Sequence, residues 1–99
     1  MKLTCQLDQQ QGTLSLAGDL PDYDDFSDFG ERLTQALEIR VVERQSGADR
    51  HQWSLDFEGS RLRLHFEGYS SAVWFELEDR SETELLSYLG RRIEGGLSL

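Results

Sequence analysis

Three runs of alternating apolar residues, Trp53/Leu55/Phe57, Leu62/Leu64/Phe66 and Val73/Phe75/Leu77, follow one another with only short breaks between them. Alternation with a period of two marks strands with one face buried and the other open. Each break begins with the same triplet, Phe57-Glu58-Gly59 and Phe66-Glu67-Gly68. Glycine there supplies the positive φ that a tight hairpin turn needs. Ile39 to Gln45, β-branched and short, precedes the turn Ser46-Gly47-Ala48-Asp49 and adds a strand in front. These four strands form an antiparallel meander, and the rest of the chain must fold around it.

At the start, Leu3, Cys5 and Leu7 alternate with Thr4, Gln6 and Asp8. The polar turn Gln9-Gln10-Gln11-Gly12 then leads to Leu14 and Leu16, so a hairpin is expected. Gly18-Asp19-Leu20-Pro21-Asp22 breaks the pattern, and the period changes. Phe26, Phe29, Leu33, Ala36 and Leu37 fall on one helical stripe. The spacing predicts a helix from about Asp24 to about Glu38, capped by Asp22 or Asp24, with Asp25 and Asp28 at the positive end of its dipole. Gly30 inside it costs about 1 kcal/mol of helix propensity relative to alanine. Ser81-Glu82-Thr83-Glu84 reads as a capping box, and Leu85, Leu86, Leu89 and Ile93 form a second stripe. Arg91 and Arg92 suit its negative end, Gly95-Gly96 stops it, and Leu97-Ser98-Leu99 is too short to anchor anything. The order β-β-α-β-β-β-β-α gives an α+β class. The economical form is a two-layer sandwich, a mostly antiparallel sheet with both helices on one face, as a single domain over residues 1–99.

Composition narrows the function. No apolar run is long enough for a transmembrane helix, and no secretory leader is visible. One cysteine, Cys5, rules out an internal disulfide and a cysteine-based zinc site, and the absence of asparagine removes any N-glycosylation sequon. A cytoplasmic location is expected. The net charge of −9 opposes nucleic-acid phosphates and anionic lipid, so neither nucleic acid nor membrane is expected as a partner. The acidity is uneven. Residues 1–38 carry two cations and eight acids, residues 39–75 five of each, and residues 76–99 three cations and six acids. The meander is therefore the balanced part.

Parity places Leu55, Leu62, Leu64 and Phe75 toward the helices and Arg40, Val42 and Arg44, then Ser54 and Asp56, Arg61, Arg63 and His65, and Trp74 and Glu76 on the other face. If both Glu-Gly pairs are two-residue turns, Arg61 lies opposite Trp74, and a slip of two residues puts Arg63 there instead. Either register stacks a guanidinium near an indole. Arg61, Arg63, His65 and Trp74 are thus the candidate interaction face, because Trp and Arg are frequent binding hot spots. The competing structural reading is a cross-strand pair that stabilises the sheet.

Other constellations carry less. Asp22 and Asp24 alternate as in a calcium loop, but Phe26 and Ser27 stand where a ligand and the glycine belong. His51 and His65 have opposite parity on adjacent strands and should project to opposite faces. Ser54, His65 and Asp56 share a face, though nothing in the spacing makes them converge. Cys5 sits mid-strand on the apolar parity, as an inert buried thiol would. No nucleophile elbow, phosphate loop or zincin motif occurs, and no cofactor or metal is expected.

The stretch Gly47-Ala48-Asp49-Arg50-His51-Gln52-Trp53, with Phe57-Glu58-Gly59, Tyr69-Ser70 and Trp74-Phe75-Glu76, resembles small proteobacterial proteins grouped as a domain of unknown function. The resemblance covers most of the chain, implies a bacterial cytoplasmic protein, and carries over no activity or catalytic residue. The function favoured by these readings is a small acidic, non-enzymatic interaction module that binds another protein or itself through the sheet face. The alternatives are a small-ligand binder or enzyme with a site between sheet and helices, involving His51 or His65, and an acidic decoy that occupies a nucleic-acid-binding protein.

Overall fold

Each alternating run forms its strand. The computed structural model describes residues 2–99. Its elements are β1 (Leu3–Asp8), β2 (Thr13–Gly18), α1 (Phe26–Ala36), β3 (Arg40–Ser46), β4 (Arg50–Phe57), β5 (Ser60–Glu67), β6 (Ala72–Leu77) and α2 (Thr83–Glu94). The strands make one six-stranded sheet in the order β1-β2-β6-β5-β4-β3, with every neighbouring pair antiparallel. The N-terminal hairpin thus docks on the last strand of the meander.

One row of side chains fixes where the core lies. Leu7, Leu14, Phe75, Leu64, Trp53 and Arg44 stand opposite one another across all six strands. Both helices sit on this side. Gly30 of α1 lies against the Trp53 ring, and Gly90 of α2 lies against Leu14 and Cys5. The layer between holds Phe26, Leu33, Trp53, Phe66, Phe75, Leu86 and Leu89, all buried. This is the two-layer sandwich that the element order predicts.

Helix α1 is shorter than its apolar stripe. It ends where Glu38 takes a left-handed φ of 61°. The Glu38 and Ile39 N–H groups then donate back to the carbonyls of Gln35 and Thr34, at 3.1 and 2.8 Å. That is the reversal usually given to glycine, here carried by glutamate. At the other end the expected aspartate cap is absent. Asp25 occupies the cap position without a side-chain hydrogen bond to the helix, while Asp22 Oδ1 accepts the Asp25 N–H at 3.0 Å. Asp22 therefore organises the turn before the helix, and its charge pushes the Asp25 carboxyl above the usual carboxylate range, helped by burial and by Asp24 and Asp28. A carboxyl raised in the folded state contributes stability that is complete below its unfolded pKa and lost as pH rises through the folded one. Asp25→Asn should therefore raise the melting temperature at pH 7, and the advantage should vanish below about pH 3, as paired thermal melts would read.

The capping box at α2 does not form either. The helix begins at Thr83, with Glu82 at the cap position and no side-chain cap. Ser81 is drawn backward instead, its hydroxyl and N–H both donating to Asp79 Oδ1 at 2.7 and 3.0 Å. The C-terminal end behaves as expected, with Gly95 closing the helix and Gly96 at φ 96°. The tail does anchor: Leu97 and Leu99 pack against the core. Arg92 adds a tie between the helices, donating to the Ala36 carbonyl at the C-terminal end of α1 at 2.8 Å.

The two edges of the sheet differ. On β1, the outward-facing Cys5 N–H donates to Glu94 Oε2 of α2 at 2.8 Å. Cys5 is partly buried and not fully so as expected; burial, with the Glu94 charge beside it, pushes its thiol up to about 11, which favours the protonated form. The opposite edge, β3, is almost wholly exposed and carries a bulge between Val41 and Glu43.

Candidate functional site

The face of the sheet away from the helices bears no covering element among the described residues. Its middle row runs Gln6, Ser15, Trp74, His65, Gln52 and Gln45. His65 thus stands opposite Trp74, and neither arginine does. The second Phe-Glu-Gly opens a four-residue turn, Gly68 to Ser71, not a two-residue one, so β6 pairs with β5 in a register that brings Arg63 opposite Glu76. The first Phe-Glu-Gly is a two-residue turn, and Asp56 faces Arg61 as expected.

Trp74 is consequently half-buried. Its indole is stacked on the His65 ring, with centroids 4.8 Å apart and planes 12° from parallel. Glu76 holds the assembly from the side. Its Oε1 lies 2.9 Å from His65 Nε2 and 3.3 Å from an Arg63 Nη. A carboxylate only accepts, so Nε2 carries the proton and donates. Burial pushes the Glu76 carboxyl up, but the bonds from His65 and Arg63 outweigh it and hold it below the usual range. The next row is a second cluster in which Arg40 and Arg61 both reach Asp56 Oδ2, at 3.4 and 3.3 Å. The Gly59 N–H bond, ahead of the two guanidinium groups, holds Asp56 below its ordinary range.

Of the expected face, Arg61, Arg63, His65 and Trp74 do share one side of the sheet. Arg63, His65 and Trp74 meet around Glu76, whereas Arg61 belongs to the Asp56 cluster. Glu76 stands on this face by parity but is absent from the candidate set of Arg61, Arg63, His65 and Trp74. Its signal was its parity with Trp74. Arg44, expected on this face by parity, lies on the other side of the sheet. The bulge at Val42 inserts one extra residue, which turns Arg44 to the helix side. There its guanidinium lies 5.1 Å from the Trp53 ring centroid and pairs with Glu31. Counted along β3 to β6, Arg40, Arg50, Arg61 and Arg63 balance Glu43, Asp56, Glu67 and Glu76, so this part of the face is neutral on a chain of net −9.

His51 lies on the opposite face from His65, as parity requires. It is buried between Tyr23 and Phe26, with ring centroids at 4.3 and 4.8 Å, and its Nε2 donates to the Tyr23 carbonyl at 3.1 Å. That is a core histidine with its proton placed. Ser54 does not join His65, whose Nε2 is engaged by Glu76, and Asp56 is held by arginines. Among the described residues no group of three or more His, Cys, Asp or Glu could hold a metal ion, and no helix is long and apolar enough to cross a membrane. Residues 3–93 match a family described as protein of unknown function (DUF3630). No curated protein and no solved structure matches the chain.

Proposed function

We propose that this chain, which belongs to the DUF3630 family, is a small acidic interaction module of the bacterial cytoplasm, not an enzyme, and that it docks a protein through the uncovered sheet face. The observation that carries the reading is the Trp74–His65 stack, braced by Glu76 and Arg63, in the middle of that face. A braced aromatic pair loses little side-chain freedom when a partner lands on it. The charge balance of the β3–β6 part of the face supports the same reading. Elsewhere the surface carries the excess of acids, so two copies, or this chain and another acidic protein, repel least through this side. Binding to a second copy is the form that can be tested directly. Light scattering over a wide concentration range should give a mass that doubles, and Trp74→Glu, which sets a carboxylate next to Glu76, should return it to the monomer mass with the fold intact by circular dichroism. An association that survives Trp74→Glu unchanged overturns the reading.

A further inference from the structure

At the end of the sheet, away from the uncovered face, Tyr69 stands 92% exposed at the tip of the β5–β6 turn. A large aromatic ring with almost no intramolecular contact is unusual on a turn that is otherwise held tightly. The Glu67 carboxylate accepts the Tyr69 N–H at 2.8 Å, the Ser70 N–H at 3.3 Å and the Ser70 hydroxyl at 2.6 Å. The Gly68 N–H donates to the Asp49 carbonyl at 2.7 Å, which ties this turn to the β3–β4 turn. Gly68 is required there, since a Cβ would meet that carbonyl oxygen at 2.9 Å. The ring is therefore free while its backbone is fixed.

Tyr69 shares a groove with a second tyrosine, whose ring is held in place. Tyr23 stacks on His51 and donates its hydroxyl to the Gly47 carbonyl. The groove has a volume of about 530 Å³ and is lined by Tyr23, Ala48, Asp49, Gly68 and Tyr69. Its charge is negative. The Asp49 carboxylate has no ion-pair partner among the described residues. Arg50, its neighbour in the chain, stands across from Glu67 on the uncovered face. Asp22 and Asp24 flank Tyr23 in the chain and add to the negative charge on that side of the molecule.

We propose that the groove between Tyr23 and Tyr69 is a docking site for an arginine or lysine side chain presented by a protein partner. Aromatic faces attract a cation through the ring quadrupole, and a carboxylate beside them supplies the counter-charge. Turn hydrogen bonds already fix the backbone that carries Tyr69, so on that side binding has only the rotation of one side chain to restrict. Paired Tyr and Arg are also typical of interface hot spots. The site is separate from the Trp74 face, and either stands if the other fails.

The test is a titration of the full chain, followed by amide chemical shifts, with the capped tripeptide acetyl-Gly-Arg-Gly-amide. Saturable shifts are expected at residues 22–24, 47–50 and 67–71. Tyr69→Ala should weaken binding about fivefold to tenfold, the fold-change of one cation–π contact with a partly desolvated cation. The ring touches almost nothing, so this variant should melt as the wild type does, and a loss of binding cannot be a loss of fold. Asp49→Asn should weaken binding about threefold. The proposal is overturned if no saturable shift is seen, if the same peptide with glutamine in place of arginine binds equally, or if Tyr69→Ala binds as well as the wild type. Methylguanidinium that binds as tightly as the peptide would also overturn it, because the site would then serve a free small cation and not a protein.

Discussion

Trp53→Ala should lower the unfolding free energy by about 3–5 kcal/mol, read as a shift of the urea midpoint at unchanged slope. Trp53 is 1% exposed and is the largest side chain in the core. It is gripped on several sides. Phe26 meets it edge-on with centroids 5.3 Å apart, α1 passes over it at Gly30, and the Arg44 guanidinium covers it from the edge strand. Truncation removes the transfer energy of the indole and leaves a cavity that these neighbours cannot fill together, because they belong to α1 and the sheet. For a domain whose whole stability is about 5–15 kcal/mol, that is a large share. Arg44→Ala, by contrast, should cost less than about 1 kcal/mol, because its ion pair with Glu31 is half-exposed and screened.

Two helical glycines should respond to alanine with opposite signs. Alanine is the better helix former by about 1 kcal/mol at both. At Gly90 a Cβ would meet Leu14 at 3.5 Å and Cys5 at 3.9 Å, which is ordinary contact, so Gly90→Ala should stabilise the protein by about 0.5–1 kcal/mol. At Gly30 a Cβ would lie 2.7 Å from two atoms of the Trp53 ring, which is wedged in the core and cannot swing aside. Overpacking of about 1–3 kcal/mol then offsets the gain in propensity of about 1 kcal/mol, and Gly30→Ala should destabilise by up to about 2 kcal/mol net. In a Trp53→Leu background the clash disappears, so Gly30→Ala should become neutral or stabilising, a strong coupling between the two positions. Denaturant melts of the four proteins measure it.

The same glycine shows what the sequence could and could not convey. Gly30 interrupts a good helix, and the propensity penalty was visible, but the tryptophan that requires it lies more than twenty residues later in another element. The period-two runs were legible because burial of one sheet face writes itself directly into composition, and the element order followed. What failed were features decided by one or two residues of extra chain. The bulge at Val42 turned Arg44 over, and no residue type marks it. Four turn residues where two were expected moved β6 along β5 and gave Trp74 a histidine neighbour in place of an arginine. Both helix starts misled for a related reason: Asp22 and Asp79 form local turns of their own, and these compete with capping for the same donors. The candidate face was thus found as a set of residues but not as a set of contacts, since parity is a local property and register is not.

The bond from the Cys5 amide to Glu94 has a consequence for assembly. A sheet that grows into a fibre by strand addition must accept a neighbour at both edges, as a link in a chain needs two open ends. Here one outward N–H in the middle of β1 is taken by a carboxylate carried on the molecule's own helix, which makes β3 the more open edge for another strand. Two copies that meet there consume the free edge of each. Edge-to-edge addition alone would then be complete at a pair.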